Sequence, residues 1–156
     1  MHPSSYLKMQ ALRDVYLAPG GDRVRILDVG SRVIEQDDSY KGLFPEASYS
    51  YTGLDVEAGT NVDVVVANPY RWDELASESF DVVISGQVLE HNPYFWITLA
   101  EIARVLVPGG LVCLIAPSTG DVHRYPLDCW RFYPDSAAAS PPTRPPAAGP
   151  APGSPY

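Results

Sequence analysis

Residues Val24 to Ser31, which read V-R-I-L-D-V-G-S, constrain the fold of this chain more than any other stretch. The run is short, apolar and rich in β-branched residues, and it stops at an aspartate followed closely by glycine. That pattern predicts a buried strand, and Gly30 is the residue type that lets backbone turn sharply and approach a ligand closely. In open α/β sheets the ligand crevice lies beyond the carboxyl ends of parallel strands, so the stretch predicts a first strand delivering a binding turn.

Further apolar runs repeat the pattern. Tyr49 to Asp55 predicts a second strand ending on an acid, and Asn61 to Ala67, with its near-continuous valines, a third strand buried on both faces. Phe80 to Ser85, closed by Gly86, predicts a fourth, and Leu111 to Ala116, ended by Pro117, a fifth buried strand. Between them, Leu7, Ala11, Leu12 and Val15 have helical spacing over Ser4 to Leu17, with Ser4 or Ser5 as cap and Pro19-Gly20-Gly21 as stop. Short helices are expected at Tyr40 to Phe44 and Trp72 to Ala76. The clearest helix starts at Pro93 with Asn92 as cap, shows one face through Phe95, Leu99, Ile102 and Leu106, and stops at Pro108-Gly109-Gly110. Apolar strands interleaved with helices imply an α/β fold with a parallel sheet and right-handed connections.

The bulk properties narrow the function classes. A chain of 156 residues, 46% hydrophobic and 19% charged, suits one domain with a real core. Its formal net charge of -8 repels a phosphate backbone, so no nucleic-acid partner is expected. Cys113 and Cys129 have no metal-type spacing, so no metal, no disulfide scaffold and a reduced, cytoplasmic setting are expected. The N-terminal residues lack the apolar core of a secretory signal, and no run is long enough to span a membrane. After Pro134 the composition turns to proline and alanine without large aliphatic residues. This divides the chain into a domain over 1–135 and a tail over 136–156 that is expected to be disordered or polyproline-like.

Four groups of residues can carry chemistry. Asp28 beside the Gly30 turn can accept hydrogen bonds from an ammonium or a ribose hydroxyl, although the same triplet occurs in ordinary turns. Asp55 can take both hydroxyls of a ribose or cap a turn; Asn68 can meet an adenine edge or form an Asn-Pro turn. Ser85-Gly86-Gln87-Val88-Leu89-Glu90-His91 brings polar groups to the mouth of the fourth strand, where His91 can orient substrate, take a proton or cap the next helix. Past the fifth strand, His123 to Tyr133 concentrates aromatic, imidazole and guanidinium groups. There His123 is a candidate base oriented by Asp128, with Arg124, Tyr125, Trp130 and Arg131 as candidate substrate contacts; the alternative is an aromatic lid with an Arg-Asp pair.

The succession L-D-V-G-S, G-L-D-V, F-D-V-V-I-S-G-Q-V-L-E-H and E-I-A-R-V-L-V-P-G-G-L-V resembles class I S-adenosylmethionine-dependent methyltransferases, especially the small-molecule branch called type 11. The resemblance covers about Val24 to Ala116 and implies a Rossmann-like sheet that binds S-adenosylmethionine and releases S-adenosylhomocysteine. It implies that the turn at Asp28, Gly30 and Ser31 passes the methionine part, that Asp55 with Val56 holds the ribose, and that Asn68 lies near the adenine. Ser85, Gly86 and Gln87 complete the cofactor-binding set. Two departures stand out: Arg32 replaces the family's second glycine, so its side chain is expected to point away from the cofactor, and Asn68 replaces a common aspartate.

The family's sheet continues through a helix and two more strands, where this chain has its proline-alanine tail, so a C-terminally truncated, five-stranded sheet is expected. Its fifth strand would then be an exposed edge that a homodimer could cover. The expected activity is methyl transfer to a small-molecule acceptor, with a hydroxyl or acid oxygen favoured because an oxygen acceptor calls for a base such as His91 or His123. The alternatives are a catalytically impaired cofactor-binding module and a nucleotide-dependent oxidoreductase, which would want the G-x-G-x-x-G that is missing here.

Overall fold

The computed structural model describes residues 3–17, 22–34 and 39–139. Strands β1 (Val24–Val29), β2 (Tyr49–Asp55), β3 (Val64–Val65), β4 (Phe80–Gly86) and β5 (Leu106–Ile115) form one sheet in the order β3-β2-β1-β4-β5. Every pairing is parallel. Helices α1 (Pro3–Tyr16), α2 (Phe95–Val105) and α3 (Pro134–Ala139) and two 3-10 turns, Lys41–Leu43 and Leu89–His91, complete the described elements. The α/β class and the five parallel strands agree with the sequence reading.

The alternation of side chains along each strand divides the core between two faces. Ile26, Val82 and Ile84 pack with Met9 of α1, Leu17, and Tyr40, Leu43 and Phe44 around the first 3-10 turn. Leu27, Val29 and Val83 point the other way and meet Ile102 and Val105 of α2 together with Trp72. Each such fully buried apolar side chain contributes about 1.5–3 kcal/mol relative to exposure, so the two layers fix the sheet between them.

Several sequence expectations change. The third strand shrinks to two residues at an edge, where Val65 is 44% exposed, because only Leu54 and Asp55 pair with it. The fifth strand is not buried: Leu111, Val112 and Leu114 are exposed, since it pairs only with β4 among the described residues. Trp72 to Ala76 is a turn rather than a helix. It is held by side chains of α2: Glu101 accepts from the Trp72 amide at 2.8 Å, and Arg104 donates to the carbonyls of Trp72 and Leu75 at 2.8 and 2.9 Å.

The strong helix starts at Phe95 instead of Pro93, although Asn92 still makes a cap-like bond, accepting from the Tyr94 amide at 3.1 Å and donating to the Thr98 hydroxyl at 2.6 Å. It stops at Val105, and Pro108-Gly109-Gly110 lies within β5 as an irregularity opposite Phe80 to Val82, with Gly109 at φ +82°. Helix α1 begins at Pro3, so Ser4 and Ser5 lie inside it and do not cap it. Helix α3 extends through Ala139, into the start of the segment expected to be unstructured; the rest of that tail, and the Pro19-Gly20-Gly21 stop, lie outside the described residues.

Candidate cofactor and acceptor site

The carboxyl ends of β1, β2 and β4 open onto a cavity of about 580 Å³. Of the residues singled out from sequence, Gly30, Asp55, Val56, Gln87, His91, Arg124 and Tyr125 line it. Gly30 forms its floor at φ +79°, a conformation costly for any residue with a Cβ, and a Cβ there would lie 2.2 Å from a Val88 methyl. The Gly30 amide donates to the Leu54 carbonyl at 2.8 Å, which ties the turn to the end of β2. Across the turn, Asp55 accepts from the amides of Arg32 at 3.2 Å and Glu57 at 3.1 Å, one on each carboxylate oxygen. A carboxylate has about four lone-pair sites, so Asp55 keeps acceptor capacity for two vicinal hydroxyls. A glycine floor and an acid with spare lone pairs fit the ribose and chain of an adenosyl ligand.

Other candidates have structural partners and do not line the cavity. Asp28 is buried on the opposite face, accepts a hydrogen bond from the Tyr51 hydroxyl, and burial pushes its carboxyl up to about 7. Ser31 donates to the Asn61 carbonyl and Ser85 to the Val29 carbonyl, locking the ends of β1 and β4. Gly86 is required by its neighbour, since a Cβ would lie 2.1 Å from the Tyr40 hydroxyl oxygen. Asn68 caps its own turn by accepting from the Tyr70 amide at 2.8 Å, while the next two residues, Pro69 and Tyr70, reach the cavity. Arg32 is among the cavity-lining residues; its guanidinium pairs with Glu57 at 3.0 Å and its Cγ and Cδ lie against Gly59.

The aromatic segment after β5 is stapled to the turn that follows β4. The Glu90 carbonyl accepts from the amides of Cys129 and Trp130 at 2.6 and 3.2 Å, and the Asn92 carbonyl accepts from the Trp130 indole at 3.0 Å. Phe95 packs edge-on against Trp130 and Phe132. Asp128, its side chain only 1% exposed, binds both terminal nitrogens of Arg131 and the His123 amide, and the Arg131 guanidinium holds its carboxyl well below the usual carboxylate range. Asp128, Trp130 and Arg131 therefore brace the segment, while Arg124 and Tyr125 face the cavity. His123 does not line the cavity; its ring lies 5.0 Å from that of His91, which does.

Nothing in the sequence signals the parts taken by Tyr51, which bonds Asp28, and Trp72, which lines the cavity. Tyr51 and Trp72 read as ordinary strand and turn aromatics, and nothing in their spacing marks the carboxylates they meet.

A family model described as "Methyltransferase domain", type 11, matches residues 19–114, over half of the chain. The chain belongs to this methyltransferase family. A ubiquinone biosynthesis O-methyltransferase of Agrobacterium fabrum is 26% identical over 113 residues, covering 71% of this chain and 43% of that protein. An uncharacterized methyltransferase of Mycobacterium ulcerans is 32% identical over 111 residues, covering 65% of this chain and 43% of that protein. The methyltransferase domain described here thus spans less than half the length of these curated relatives. Among solved structures, the cyclase SpnF shares the fold at a TM-score of 0.60 and 20% identity, over 81% of this chain and 53% of its own.

Proposed function

We propose that the chain binds S-adenosylmethionine in the cavity at the carboxyl ends of β1, β2 and β4 and transfers its methyl group to an oxygen of a small-molecule acceptor. The observation that carries this reading is the pairing of the Gly30 turn with Asp55 across one cavity, within a chain of the methyltransferase family. The name of the Agrobacterium relative supports oxygen as the acceptor atom.

When bound, the cofactor supplies a sulfonium-activated methyl group. The residues of this chain then hold, orient and exclude water. Asp55 anchors the ribose, and the Gly30 turn gives the methionine chain room. Arg124 and Tyr125 form the acceptor wall, with Arg124 suited to an anionic substituent. His91 donates from Nδ1 to the Leu127 carbonyl at 2.6 Å, so in the neutral ring Nε2 holds the lone pair that can receive the acceptor's proton as the oxygen–carbon bond forms.

The fold alone does not dictate methyl transfer, as the cyclase among its neighbours illustrates. The test is incubation of the purified chain with methyl-labelled S-adenosylmethionine or with a reduced nicotinamide, followed by mass spectrometry under native conditions. Selective retention of the adenosyl ligand supports the reading, and selective retention of the nicotinamide sinks it. The exposed β5 edge supports a further proposal, that two copies pair through it.

A further inference from the structure

Next to His91, which lines the cavity, Glu90 is fully buried, and neither of its carboxylate oxygens has a hydrogen-bond partner among the described residues. An unpaired buried carboxylate costs several kcal/mol unless it is protonated or meets a cation, so a group in this position calls for an explanation. Its neighbours are His91, whose Nε2 lies 3.9 Å from Glu90 Oε1, and His123; one ligand atom from each of the three falls within 4.8 Å of the others.

The tautomers suit a ligand role. His91 Nδ1 faces the Leu127 carbonyl at 2.6 Å and must donate to it, which leaves Nε2, 3.9 Å from Glu90 Oε1, with its lone pair available. Metal-bound histidines are commonly held by such a bond from the other ring nitrogen to a carbonyl. The His123 Nδ1 is likewise 3.3 Å from the Asp121 carbonyl and 3.6 Å from Asp128. The nearby guanidinium of Arg131 is committed through its terminal nitrogens to Asp128, and its buried Nε has no partner among the described residues, so its charge acts on Glu90 through space and not by a direct bond.

We propose that Glu90, His91 and His123 bind one divalent first-row transition metal ion, of which zinc is the representative. Two imidazoles and a carboxylate suit such ions better than calcium or magnesium, which prefer all-oxygen shells. Ligand atoms on a tetrahedral zinc lie about 3.4 Å apart, as follows from metal–ligand bonds of about 2.1 Å. Glu90 and His91 at 3.9 Å, and the trio within 4.8 Å, stand somewhat wider than this, so binding an ion draws the three inward, with the exposed His123 ring the freest to move. Three protein ligands leave one position open, the pattern of a catalytic rather than a purely structural site. Resting on the methyl-transfer reading, that position is where an acceptor oxygen would bind, with the metal replacing His91 as the means of lowering its proton affinity. The absence of cysteine pairs hid this site from the sequence, because its ligands come from two segments that meet only in the fold.

The experiment uses the full chain stripped with a chelator, in the absence of cofactor. Zinc is titrated by calorimetry, and cobalt by its visible absorption, into the wild type and into His123→Ala, Glu90→Gln and Cys129→Ser. The expected result is one ion per chain, with roughly tenfold or greater weakening in His123→Ala and in Glu90→Gln and none in Cys129→Ser. His123 is 55% exposed, so its variant reports on binding without threatening the fold. Lack of saturable binding near one ion per chain, wild-type affinity in either His123→Ala or Glu90→Gln, or loss of binding in Cys129→Ser overturns the proposal. Binding of S-adenosylhomocysteine, measured separately without metal, tells failure of this site from failure of the methyl-transfer reading.

Discussion

Replacing Asp28 with asparagine should reverse part of the protein's pH dependence of stability. Asp28 sits beneath the binding turn, fully buried, where burial raises its carboxyl from 3.8 to about 7, the Asp55 charge adds to the effect, and the Tyr51 hydrogen bond opposes it. Between those two values the folded protein holds a proton that the unfolded chain has released. Folding is therefore favoured at the acid end of this window and weakens as pH rises through it. At about 1.4 kcal/mol per pKa unit, the cost above pH 7 is on the order of 4 kcal/mol. Asparagine keeps an oxygen that can accept from Tyr51 and carries no charge at any pH. Its amide hydrogens add a penalty of about 1–3 kcal/mol if unpaired, but that penalty is independent of pH.

The quantity to measure is the difference in unfolding free energy between Asp28→Asn and wild type, from urea titrations at intervals between pH 4 and 8.5. Other titrating groups, such as the raised Glu90 and the lowered Asp81, Glu101 and Asp128, cancel in that difference. The variant should gain on the wild type by about 4 kcal/mol across the range. A difference that stays flat, or that moves in favour of the wild type at high pH, refutes the assignment of Asp28 as a carboxyl held neutral by burial.

Three other perturbations probe the turn, the lid and the edge. Gly30→Ala combines a left-handed backbone cost of about 1–2 kcal/mol with the overlap on Val88. Adding Val88→Ala should restore only the overlap part of the lost urea midpoint; no loss in the single variant contradicts the turn geometry. Asp128→Ala releases Arg131 and the His123 amide, and hydrogen exchange of the Trp130 indole should accelerate, whereas unchanged exchange denies the bracing role. Sedimentation should find the wild type as a concentration-dependent dimer and Leu114→Lys as a monomer, because the charge falls on the open edge of β5; a wild-type monomer at all concentrations rules out the edge pairing.

Much of the fold was legible because local pattern and tertiary role agree. Val24 to Val29 and Phe80 to Gly86 alternate between two buried faces, and their ends are marked by Gly30 and Gly86. Where the pattern failed, a distant side chain decided the outcome. The turn at Trp72 follows Glu101 and Arg104 of α2, which no local periodicity reports.

The valines of β3 read as buried in sequence, but burial depends on how many strands lie beside them, and β3 is an edge. That Gly30, Asp55 and His91 border the cavity was legible from their position at or just past strand ends. Asp28, Ser85 and Asn68 stand at or just past equally suited strand ends, and the structure adds a partner to each: the Tyr51 hydroxyl, the Val29 carbonyl and the Tyr70 amide. Residue type and spacing show which groups can bind a ligand; only the packed structure shows which partners they already hold and which of them face the cavity.

The most direct test of the adenosyl site is calorimetric titration of S-adenosylhomocysteine into the wild type and Asp55→Ala. Asp55 contributes charge-assisted hydrogen bonds to the ribose in this account, so its removal should weaken binding at least tenfold, about 1.4 kcal/mol, with folding retained by circular dichroism. Equal affinity in the two proteins, or no binding to the wild type, would contradict it.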